Sequence, residues 1–173
     1  MSRLSSLSAS AIKAMFSSET EESIIMLLTV YDPDTNQPIV RLADGFTKRI
    51  SETDIEVLYG VTSNSVDYTF LPMQITLPAE HDGGVPSCSV VLNYVTPEAI
   101  ELIRTQLDRP TKILLELVLS GSTDHIEASF PGFYITSVTY NAESITFELN
   151  MISYASEPFP AFNFTPNYFP GLF

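Results

Sequence analysis

Between Ser23 and Met151 the apolar residues recur mostly with period two, in short runs broken by clusters of Gly, Pro, Asn, Asp and Ser. Runs of that kind make pleated strands. Many of them at roughly 8–12-residue spacing, with few helices between, point to a mainly antiparallel sheet that must pack on another sheet or close on itself. Residues Ser23 to Tyr31 are almost continuously apolar, which suits a strand buried on both faces. The turn Asp32-Pro33-Asp34-Thr35-Asn36 and a return strand, Ile39 to Leu42, follow, and Asp44-Gly45 breaks the pattern before a polar stretch with Lys48 and Arg49. Ile55, Val57 and Tyr59 alternate with Asp54, Glu56 and Leu58, and Ser63-Asn64-Ser65 separates them from Asp67 to Phe70 as a second hairpin. Met73, Ile75 and Leu77 alternate, as do Cys88, Val90 and Leu92 beyond a loop from Pro78 to Pro86. Ile113, Leu115, Leu117 and Leu119 form a further strand, turned by Gly121-Ser122-Thr123-Asp124. Phe133 to Tyr140 and Ser144 to Met151 flank Asn141-Ala142-Glu143 as the last hairpin.

Two segments carry the helical period instead. Leu7, Ala11, Ile12, Met15 and Phe16 recur at three- and four-residue steps, predicting a short N-terminal helix that stops near Ser17 and Ser18, because Glu19, Glu21 and Glu22 are unfavourable at its negative end. Thr96 as N-cap, Pro97 at the first helical position and Glu98 predict one inserted helix with Ala99, Ile100, Ile103 and Leu107 on its buried stripe, ended by Pro110. The expected fold is therefore mainly β, an antiparallel β-sandwich or small barrel over residues 1–151 that includes an N-terminal helix and one inserted helix. Residues 152–173 are expected to form an extended C-terminal arm. Its sequence from Glu157, EPFPAFNFTPNYFPGLF, holds prolines at a density that forbids a regular helix and removes sheet donors. The arm's aromatic side chains are too apolar to stay solvated and must pack on the chain's own domain or on a neighbour. Phe159, Phe162 and Phe164, then Tyr168, Phe169 and Pro170, and finally Leu172 and Phe173 are the candidate protein-interaction residues.

Composition narrows the functional classes. The chain has 8 basic and 21 acidic residues in 173, a net charge of −13, so it repels phosphate backbones and anionic membranes and is not expected to bind nucleic acid directly. No apolar run reaches the ~20 residues of a membrane-spanning helix, so no membrane insertion is expected. The Ser-rich N-terminus lacks the regions of a signal peptide, which predicts a cytoplasmic setting. The single cysteine, Cys88, allows no intrachain disulfide and no site needing several thiolates.

Catalytic signals are sparse. His81 and His125 sit in polar segments with Glu80 and Asp82, or Asp124 and Glu127, and such neighbours tune an imidazole or complete a metal site. Two histidines in separate loops without ligand spacing read as surface residues. There is no nucleophile elbow, Walker loop or dinucleotide fingerprint. The acidic clusters Glu19, Glu21, Glu22 and Asp32, Asp34 lie at a helix end and in a turn, and Asp32 to Asn36 holds only the opening of a calcium loop. Cys88 falls on the inward phase of its alternation, as a buried structural thiol. No cofactor and no metal are expected.

Glu157-Pro158-Phe159-Pro160, Phe164-Thr165-Pro166 and Phe169-Pro170-Gly171-Leu172-Phe173 together resemble a family of tailed-phage minor tail and tail-tip proteins catalogued as a domain of unknown function. Leu7 to Ala14, the Pro72 to Pro78 strand, Asn93 to Val95, and Pro110-Thr111-Lys112 through Leu119 look like further family positions. The resemblance implies a virion structural protein of the tail tip or baseplate, similar in position to the lambda-type minor tail protein L. It would form a homo-oligomeric ring between the distal tail protein and the central hub protein, near the tape measure, and assemble in the host cytoplasm. The metal cluster of that lambda-type protein needs several cysteines and is not expected with Cys88 alone. A metal- or carboxylate-dependent hydrolase acting in tail assembly or cell-wall passage is the alternative, with His81, Asp82, Asp124 and His125 as its candidates. A ligand-binding barrel is a third reading.

Overall fold

Ile25 to Thr29 are buried without interruption, and the strand they form lies at the middle of the molecule. The structure, a computed structural model, describes residues 7–52, 57–77, 87–93, 111–141, 143–151 and 171. It is mainly β. Helix α1 (Ala9–Phe16) precedes β1 (Ile24–Tyr31), β2 (Pro38–Ala43), β3 (Lys48–Glu52), β4 (Val57–Ser63) and β5 (Val66–Phe70). Then come β6 (Met73–Thr76), β7 (Ser87–Leu92), β8 (Lys112–Leu119), β9 (Ser122–Tyr140) and β10 (Ile145–Met151). All ten strands share one sheet, ordered β3-β4-β5-β2-β1-β8-β9-β10-β7-β6.

The two faces of β1 serve two cores. Leu28 belongs with Ile113 and Leu115 of β8, Phe133 of β9, Leu149 of β10, Cys88 and Val90 of β7 and Met73 of β6. Ile25 and Leu27, one residue out of phase, belong with Ala43, Val61, Tyr68 and Val118. A strand buried on both faces has no polar phase, which is why its sequence is continuously apolar. Each fully buried Leu or Val here contributes roughly 1.5–3 kcal/mol.

Chain connectivity forces the sheet to curl. β5 and β6 stand seven strand spacings apart in the sheet order, about 34 Å if flat, yet only Leu71 and Pro72 separate them, a reach of about 11 Å. The β6 edge therefore swings back over the first core, where Leu42 and Val30 pack against the same cluster as Met73. On the opposite face β4 approaches the first half of β9, and the Asn64 N–H donates to Asp124 Oδ1 at 2.7 Å. Among the described residues β3 and β6 stand at the two ends of the sheet.

The expected alternations agree with the observed strands around Ile24, Pro38, Val66, Met73, Ser87, Lys112 and Ile145, and so do the turns after β1 and β4. Asp32 Oδ1 accepts the N–H groups of Asp34 and Thr35, and Asn64 and Ser65 both hold positive φ (49° and 64°), as a tight hairpin with right-handed twist requires. Three expectations need correction. The sheet is mixed and not purely antiparallel, because β5 pairs in parallel with β2. The chain steps sideways at Asp44-Gly45 without reversing, so β3 keeps the direction of β2, and two further reversals through β4 insert β5 beside β2. The polar stretch with Lys48 and Arg49 is itself a strand. The turn after β8 is Ser120-Gly121, and Ser122 to Asp124 already belong to β9, which runs 19 residues.

β9 reaches that length by bending. Pro131 and Gly132 fall where its register against β8 shifts, and Gly132 takes φ 87°. Before the bend β9 pairs with β8; after it Phe133 and Tyr134 pair with both β8 and β10, and the remainder with β10. The inserted helix from Thr96 to Leu107 and the C-terminal arm, with Phe159, Phe162, Phe164, Tyr168, Phe169, Pro170, Leu172 and Phe173, lie outside the described residues.

Candidate functional site

The titratable groups singled out in the sequence are mostly engaged in holding the fold. A second irregularity in β9 lies between Ile126 and Ala128, which pair with Val118 and Leu117 and leave Glu127 as the extra residue of a bulge. Glu127 is 5% exposed and turns toward α1. Its carboxylate accepts the Ser8 N–H at 2.7 Å on one oxygen and the Ser8 hydroxyl on the other. Ser8 Oγ in turn accepts the Ala11 N–H, so the N-cap of α1 is clamped to a buried carboxylate. His125 Nε2 stands 3.9 Å from the same carboxylate, on the exposed side. Ser, Glu and His thus meet, but the Ser8 hydroxyl bonds to the Glu127 carboxylate and not to the imidazole, and both groups are spent on the cap of α1.

The remaining candidates scatter. Asp124 holds the β4–β5 turn through Asn64, and Asp32 shapes its own turn. Glu22 accepts the Gly121 N–H at 2.9 Å and the Ser120 hydroxyl, fastening the start of β1 to the β8–β9 turn, while Glu19 and Glu21 are exposed. Cys88 is buried, and desolvation, helped by the charge of Glu148, pushes its thiol up to about 11, so it is protonated at neutral pH. His81 and Asp82 lie outside the described residues. Among the described residues no group of three or more His, Cys, Asp or Glu side chains is placed to hold a metal ion.

What the structure brings together is apolar surface. On α1 only Ala11 is buried, while Met15 is 60% and Phe16 81% exposed, so the apolar stripe of this helix turns mostly outward. At the β3 edge Phe46, 55% exposed, stacks edge-on against Phe70 with centroids 5.1 Å apart and lies 5.3 Å from the ring of Tyr59, itself 44% exposed. Two glycines make this corner. A Cβ on Gly45 would come within 3.1 Å of Ile25, and one on Gly60 would fall 2.0 Å from the Tyr68 carbonyl and 2.4 Å from Ile50 Cδ1. Lys48 and Arg49 line the same edge, Arg49 paired with Glu52. Sequence reasoning passed over Phe46, whose one signal is a large aromatic residue set between turn-formers.

Residues 10–164 match the model of a family described as a domain of unknown function, DUF1833. The chain belongs to the DUF1833 family. No match was found among curated proteins. The matched DUF1833 region takes in all ten strands and the aromatic corner, together with Phe159, Phe162 and Phe164. Tyr168, Phe169, Pro170, Leu172, Phe173 and the N-cap Ser8 fall beyond it.

Proposed function

We propose that this chain is a non-enzymatic structural component of a bacteriophage tail tip or baseplate, a ring subunit between the distal tail protein and the central hub. The observation that carries this reading is the uncovered apolar surface at one end of the sheet, Phe46 with Tyr59, beside polar residues that are spent on holding the fold. Surface of that kind belongs to a protein that is covered by neighbours after assembly. The likeness of the C-terminal motif to tail-tip proteins supplies the setting, and the net charge of −13 keeps an unassembled subunit dispersed. The curled sheet acts in this reading as a small barrel-like sandwich, stiff enough to hold its place in a ring. The arm from Glu157 to Phe173 is the interaction element, and the partners are the distal tail protein, the hub protein, the tape measure and further copies of the chain.

The test is the protein content of purified virions together with the infectivity of phage carrying His81→Ala and His125→Ala. A structural subunit is found at fixed stoichiometry in the particle, and infectivity stays within about twofold of wild type. Absence from the particle overturns the reading. A loss of several orders of magnitude with normal particle assembly favours the hydrolase instead.

A further inference from the structure

We draw no further inference here: the strongest candidate, the apolar stripe of α1 formed by Ile12, Met15 and Phe16, is an exposed helix face, and nothing among the described residues shows what covers it.

Discussion

Glu116 sits in β8 with Leu27 opposite it on β1 and Ser129 on β9, in a row of the sheet whose face leads into the core of Ile25, Val61 and Tyr68. Desolvation raises its carboxyl above the ordinary value of 4.5. A group that binds its proton more tightly in the folded than in the unfolded chain gives stability that is present at low pH and is lost as pH rises through the folded value. Glu116→Gln is therefore expected to raise the melting temperature at pH 7, with the gain shrinking to nothing below about pH 4.5. Melting curves of both proteins from pH 4 to 8 check this, and a lower melting temperature for the variant at pH 7 would mean that the charged form is favourably bound. Asp44, raised by burial against the hydrogen bond it accepts from Met26, keeps a similar slope in both proteins. At this scale little was legible in advance. Glu116 reads as the polar phase of an alternating strand, and Gly60 as any glycine, because what makes each of them matter is a neighbour far away in sequence.

Elements were easier to read than their attachments. Apolar alternation locates β6, β7, β8 and β10, and a continuous apolar run marks the doubly buried β1, since burial acts directly on side-chain character. β3 and the first half of β9 are hidden because an edge strand and a strand crossing an open corner bury little, as the exposure of Lys48, Arg49, Asp124 and His125 shows. The docking of α1 was out of reach for another reason: it depends on a bulge that turns one carboxylate toward a serine 119 residues earlier. That clamp is testable by itself. Ser8→Ala removes the N-cap and one hydrogen bond to a buried charge, each contributing about 1–2 kcal/mol, whereas α1 buries only Ala11. The expected result is local: amide exchange at Ala11 to Phe16 speeds up at least tenfold while β8 amides keep their protection. If β8 loses protection in step with α1, the helix is part of the global folding unit.

On the scale of the whole molecule, the two cores lie back to back across β1 and β8. Leu28 and Leu115 face one core, Ile25, Leu27 and Val118 the other, so neither core can come apart without stripping a face from the same two central strands. Their pairing joins residues about 90 positions apart, as Leu28 with Leu115, so the strands gain nothing from each other until the long chain between them is organised. Shared strands and non-local pairing together predict one cooperative transition in spite of two separate apolar clusters. Val61→Ala touches only the second core and Leu149→Ala only the first, and both positions are fully buried. Loss of a buried Leu side chain costs about 2–5 kcal/mol, and trimming Val61 costs less. With separate fluorine labels at Phe133 in the first core and Tyr68 in the second, each variant should lower both midpoints by the same amount. Two midpoints that separate in either variant would show the halves folding independently, and the 10-stranded sheet would then be two sheets joined at a seam. Coincidence would mean that all ten strands are held as one unit through β1 and β8.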